Sequence, residues 1–113
     1  MGAYIKDKCG YRLTVLDLKG AGLFRVPKAV TERSEIQILV LDENKLIELP
    51  VSIKKLKKLI LLNLKNNKLT KLPVEIGDLR ELRELSMSNN QLFGLPNSIQ
   101  RLTKLKLAVL EWK

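Results

Sequence analysis

Residues 59–81 read LILLNLKNNKLTKLPVEIGDLRE, and the same pattern stands on either side of them. IQILVLDENKLIELPVSIKKLKK fills 36–58 and LRELSMSNNQLFGLPNSIQRLTK fills 82–104, so Ile36, Leu59 and Leu82 lie 23 residues apart. Leu13 and Leu105 continue the series outward. Numbered from that first residue, positions 1, 4, 6, 11, 14, 18 and 21 are apolar, position 9 is asparagine and position 15 is proline. All nine agree in the three inner copies. A period in the range of about 20–50 residues marks a solenoid, whose units bury their apolar faces only by stacking on their neighbours.

The spacing within one copy says how the unit is built. Apolar residues at positions 4 and 6 alternate as in a short strand with one buried face. The asparagine at position 9 follows where a tight turn is needed. Its amide both donates and accepts, so Asn44, Asn67 and Asn90 are expected to form a structural ladder to backbone groups of adjacent coils. Beyond it the apolar spacing widens to three or four residues, which fits a helical or extended return. Proline at position 15 restricts the backbone where that return begins. The expected unit is one strand, one corner and one return, with the strands stacked as a parallel sheet.

Leu59-x-x-Leu62-x-Leu64-x-x-Asn67-x-Leu69 has the form LxxLxLxxN/CxL, and residues 13–113 resemble the leucine-rich repeat family. The resemblance implies an α/β fold. It would be a short, curved, right-handed solenoid with a parallel β-sheet on the concave face and helical, 3-10 or extended returns on the convex face. The LPxxIxxL run in the second half of each copy is similar to repeats of intracellular Ras-pathway scaffolds, and plant and bacterial proteins carry similar repeats. That likeness implies a scaffold or regulator in signalling, with a small GTPase or another signalling protein as partner.

The expected organisation is an N-terminal segment, 1–12, acting as a weak cap, then repeats at 13–35, 36–58, 59–81 and 82–104 and a partial one at 105–113. The first copy departs from the pattern with Ala21 for asparagine and Arg33 for leucine, as suits an end coil with one neighbour. At the other end, Leu105, Ala108 and Leu110 start a fifth copy, and no polar cap follows. Three expectations stand there: Trp112 folded over the end, self-association through the uncapped edge, or an array cut short.

In such a strand, positions 2, 3, 5 and 7 point away from the core onto the concave face. Position 3 supplies Val15, Ile38, Leu61, Glu84 and Leu107; position 5 supplies Asp17, Val40, Asn63, Ser86 and Val109; position 7 supplies Lys19, Asp42, Lys65, Ser88 and Glu111. Those of the first four copies are the candidate protein-binding residues. Solvated strand faces carry polar side chains, so the apolar patch at Val15, Ile38, Val40 and Leu61 reads as a binding surface rather than as strand propensity alone. Five strands of this size offer about 300 Å² of flat footprint, against about 800 Å² per partner in a standard interface. Weak binding, or help from a flank or a second copy, is expected.

Lysine and arginine number 21 against 12 acids, a net +9, and seven lysines with no acid lie between Glu48 and Glu75. The repeat register scatters them. Lys54, Lys55, Lys57 and Lys58 fall on the return, whereas Lys65, Lys68 and Lys71 fall on the strand exit and corner. With 4% aromatics there is little to stack on bases. Nucleic acid or an anionic membrane surface is thus the alternative partner and not the expected one.

No apolar run reaches the roughly 18 residues of a membrane span, so no transmembrane segment is expected. Lys6, Asp7 and Lys8 stand where a signal peptide would be apolar, and Lys6 spoils a myristoylation pattern after Gly2. A cytoplasmic location is the expectation. Cys9 is the single cysteine, read as an incidental thiol. The chain has no histidine, so none of its serines has that base to activate it. Acids are dispersed and no glycine-rich phosphate loop is present. No enzyme, cofactor or metal is expected.

Overall fold

The period becomes a sheet because strands one repeat apart carry the same side chains at the same height. The computed structural model describes the backbone of residues 3–6 and 12–109 and the side chains of residues 12–106. Six strands form one sheet in chain order: β1 (Ala3–Lys6), β2 (Arg12–Asp17), β3 (Ile38–Val40), β4 (Leu61–Asn63), β5 (Glu84–Ser86) and β6 (Leu107–Val109). From β2 to β6 every pairing is parallel, with Leu16, Leu39, Leu62, Leu85 and Ala108 in one row. The register offset equals the sequence period, so a slip by one residue would turn every buried leucine outward. β1 runs antiparallel to β2, with Ile5 opposite Leu13, and so covers the first sheet edge. Cys9, Leu110, Glu111 and Trp112 lie outside the described residues, as do the side chains of Leu107 and Val109.

The returns are short helical turns. The first copy has an α-helix, α1 (Lys28–Thr31), and the next three have 3-10 turns at Val51–Lys55, Val74–Asp78 and Asn97–Arg101. Each follows a proline in extended conformation: φ is −59° at Pro27, −73° at Pro50, −71° at Pro73 and −68° at Pro96. That φ is the one its ring enforces, and its missing N–H removes a donor that the turn would leave unpaired. Leu56, Leu79 and Leu102 close the 3-10 turns at φ near −83° and ψ of 64° to 67°. This inverse γ conformation redirects the chain toward the next strand.

Between sheet and returns the aliphatic rungs stack. Leu39, Leu41, Leu46, Ile53, Leu56, Leu62, Leu64, Leu69, Ile76 and Leu79 are wholly buried, as is Met87. Each such side chain removed from water favours folding by about 1.5–3 kcal/mol. At the corners the asparagines complete the backbone bonding. Asn67 Nδ2 donates to Leu41 O (3.0 Å), Leu64 O (3.1 Å) and Lys65 O (3.3 Å), while its Oδ1 accepts from Leu46 N–H at 3.1 Å. Asn44 does the same for Leu18, Leu41, Asp42 and Leu23, and Asn90 for Leu64, Met87, Ser88 and Leu69.

The left-handed residue of the tight turn is the one before the asparagine: Gly20 (φ 64°), Glu43 (58°), Asn66 (59°) and Asn89 (58°). Position 9 contributes through its side chain and position 8 through its backbone. Position 8 has no common side chain, so the sequence pattern does not single it out.

Candidate protein-binding face

Sheet register fixes which strand side chains share a surface. Val15, Ile38, Leu61 and Glu84 stand side by side in one row, and Asp17, Val40, Asn63 and Ser86 in another. The pleat turns both rows away from the buried row at Leu16, Leu39, Leu62 and Leu85. Val15, Ile38, Val40 and Leu61 are half-buried, since neighbours spaced by one strand cover each other's flanks. The face has a gradient: apolar on β2 to β4, then polar where Glu84 is exposed and Ser86 and Ser88 are half-buried.

Position 7 does not act as one row. Lys19 is exposed, with its Nζ 3.4 Å from Glu43, and Lys65 and Asn63 are half-buried. Asp42 is only 7% exposed, and its Oδ1 accepts the Lys65 N–H at 3.0 Å. That carboxylate ties two corners together and offers little to a partner. Asp17 spends Oδ1 on the Lys19 N–H at 3.0 Å but stays exposed. The structure thus brings Val15, Ile38, Val40 and Leu61 together with Asn63 and Ser86, and draws Asp42 out of the set.

The return side organises charge by column. Position 20 holds Glu32, Lys55, Asp78 and Arg101, and position 23 holds Glu35, Lys58, Glu81 and Lys104, so both columns alternate acid and base along the stack. Arg101 lies 3.6 Å from Asp78 and Lys104 2.7 Å from Glu81. The hydrogen bond from Lys104, with its charge, holds the Glu81 carboxyl below the usual range. Glu35 is lowered first by a bond to its own backbone, then by Arg33, with a smaller contribution from the charge of Lys58. Between the last two returns, therefore, basic side chains meet acids of the neighbouring coil, whereas Lys54, Lys55, Lys57 and Lys58 of the second return have no such pair among the described residues.

Two features escaped sequence reasoning. Phe24, Ile47 and Phe93, with Val51 and Val74, are the exposed large apolar residues among those described, and they sit on the flank rather than on the strand face. Laying the copies under one another would have revealed them, at positions 12 and 16. The other is a cavity of about 270 Å³ in the first coil, lined by Leu16, Leu18, Leu23, Pro27, Ala29, Val30 and Arg33. All its lining residues belong to the first coil, and Arg33 among them stands where the inner coils carry a leucine. Among the described residues there is no metal-type cluster of His, Cys, Asp and Glu, and no helix is long and apolar enough to cross a membrane.

Comparison with known proteins places this geometry. The leucine rich repeat family model matches residues 34–92. No curated protein sequence matches the chain. Among solved structures, a leucine-rich repeat protein of Leptospira interrogans is 30% identical with a TM-score of 0.64, over 87% of this chain and 31% of that one. The leucine-rich repeat domain of the type III effector XopL is 31% identical with a TM-score of 0.78, over 87% of this chain and 36% of that one. The chain spans about a third of the length of these solved proteins.

Proposed function

This chain belongs to the leucine-rich repeat family, and from that membership we propose that it is a non-enzymatic module binding a protein partner on the face of β2 to β5. Domains of this family are typically protein-interaction modules and usually non-catalytic. The observation that carries the reading is the set of Val15, Ile38, Val40 and Leu61, side by side on the sheet face opposite the core. Solvated faces of this kind carry polar side chains unless another surface covers them. The apolar half would supply the burial, and Asn63, Ser86 and Glu84 the polar rim that fixes orientation.

The narrower reading, a cytoplasmic scaffold or regulator whose partner is a small GTPase or another signalling protein, rests on the LPxxIxxL likeness alone. The similar solved structures are a leptospiral protein and a type III effector domain, and neither ties the chain to the Ras pathway. The experiment for the binding face is a pulldown with wild type and an Ile38→Glu/Leu61→Glu variant. Both side chains are half-buried on the outer face, so the variant is checked for an unchanged circular dichroism spectrum first. Loss of partners from the folded variant supports the strand face, and unchanged partners rule against it.

A further inference from the structure

The exposed apolar residues of the flank obey the repeat although nothing in the fold requires them to. Phe24 (66% exposed), Ile47 (55%) and Phe93 (91%) all occupy position 12, and Val51 (60%) and Val74 (54%) position 16. Core rows are apolar because each coil must bury them. Positions 12 and 16 face solvent, and folding gains little from apolar residues there. From Ile47 to Phe93 the position-12 backbones are bonded coil to coil, since the Thr70 N–H donates to Ile47 O at 3.4 Å and the Phe93 N–H to Thr70 O at 3.0 Å. At about 4.8 Å per coil, Phe24 and Phe93 are about 14 Å apart. Beside Phe93 lies a groove of about 340 Å³ lined by Thr70, Leu72, Leu95 and Pro96.

Charge around these rows is predominantly positive. Positions 10 and 13 carry Lys45, Lys68, Arg25 and Lys71 against one acid, Glu48, and Glu75 follows Val74 of the second row. Lys45 Nζ sits 5.2 Å from the centre of the Phe24 ring. Among the described residues, Arg25, Lys68 and Lys71 have no ion pair, unlike Arg101 and Lys104 on the return. We propose that this flank is a second docking surface, separate from the strand face, which takes an acidic segment of a partner protein bearing apolar side chains. The apolar rows would receive those side chains, and the four cations the carboxylates around them. A lipid surface fits less well: Thr70 interrupts the first row and Lys28 and Asn97 end the second, and the groove beside Phe93 is a recess that a side chain can enter and a flat bilayer cannot.

The test pans a display library of random short peptides against the chain, with vesicles rich in phosphatidylserine as a parallel arm. The expected peptides are rich in Asp and Glu around apolar residues and bind less well as salt rises. Binding falls about tenfold in Phe24→Ser/Phe93→Ser and in Lys68→Glu/Lys71→Glu, and stays unchanged in Ile38→Glu/Leu61→Glu. All four flank side chains are exposed, so both flank variants keep the wild-type circular dichroism and melting curve. Selection of no peptides, of peptides without acidic bias, or of peptides lost only with the strand-face variant overturns the proposal. So does flank-dependent vesicle binding in the absence of peptide binding. Because the strand-face variant is the control, failure here and failure of the proposed function are told apart.

Discussion

The third coil, 59–81, and the first, 13–35, follow the same backbone course with different chemistry at the corner and at the end of the return. In the third, Asn67 bridges to the coil before it, donating to Leu41 O and accepting from the Leu46 N–H. In the first, Ala21 holds that position, while Leu18 O and the Leu23 N–H are already bonded by Asn44 from the next coil. Each asparagine therefore bonds the preceding coil as well as its own. Beside β2 of the first coil lies the antiparallel β1 and not a parallel strand of the stack, and in that coil the asparagine is absent. Position 21 follows the same logic, with Leu79 buried in the stack and Arg33 half-buried and turned to Glu35 at 3.0 Å.

That comparison is broken most directly at the asparagine. Asn67→Ala leaves the Leu46 N–H without its side-chain partner inside the stack, while Leu41 O and Leu64 O each lose one of two bonds and keep those from Asn44 and Asn90. One orphaned buried N–H at about 1–3 kcal/mol, with two lost bonds at about 0.5–1.5 kcal/mol each, gives an expected loss of about 3 kcal/mol in denaturant unfolding. Ala21→Asn, in the coil with no parallel strand before it, should change stability by less than about 0.5 kcal/mol. Equal effects at the two sites would show that the asparagine acts within its own coil and would end the bridging account.

The next largest effect belongs to a contact that only one pair of coils makes. A Cβ on Gly77 would lie 2.6 Å from Ser98 O and 2.7 Å from Ser98 Cβ, so the return at Val74–Asp78 packs against the following one with no room for a methyl. Position 19 carries Thr31 and Lys54 in the two preceding copies. Gly77→Ala is expected to cost about 2 kcal/mol through overpacking. A neutral result would mean that the last two returns slide apart freely.

Legibility followed the same division. Core rows, prolines and asparagines stand out in the sequence because every inner coil imposes the same demand on them. Position 8 does not, because Gly20, Glu43, Asn66 and Asn89 share only a backbone angle. The burial of Asp42 was hidden too: its row also holds exposed Lys19, and what withdraws Asp42 is one bond to the Lys65 N–H. The flank rows are visible as columns, yet no packing rule draws the eye to them.

A smaller effect, of opposite sign, is expected at the first coil's cavity. Arg33→Leu puts there the residue that is buried at this position in the inner coils and is expected to fill part of a space of about 270 Å³. The exposed pair with Glu35 contributes little, so a gain of about 1 kcal/mol is expected, or roughly 4 °C in Tm. If the melting temperature falls instead, the arginine holds the end coil in place, and the likeness between the two coils stops at the backbone.

The smallest effect concerns the one position where the inner coils are less well suited than the end coil. Position 8 is glycine in the first coil, at φ 64°, but Glu43 in the second, at φ 58°. A side chain with a Cβ costs about 1–2 kcal/mol in this left-handed region, and asparagine pays least among them. Glu43→Asn gives up the Lys19 pair, which is more than half exposed on both sides and so worth little. It gains an amide next to Asn66, whose Oδ1 already accepts from Asn89 Nδ2 at 2.7 Å in the following coil. The balance is a stabilisation of about 0.5 kcal/mol, read as a rise in denaturation midpoint at constant slope. Gly20→Asn should move the other way, because glycine adopts that angle without penalty. Matching signs at the two sites would mean that the angle is not what sets the preference at position 8.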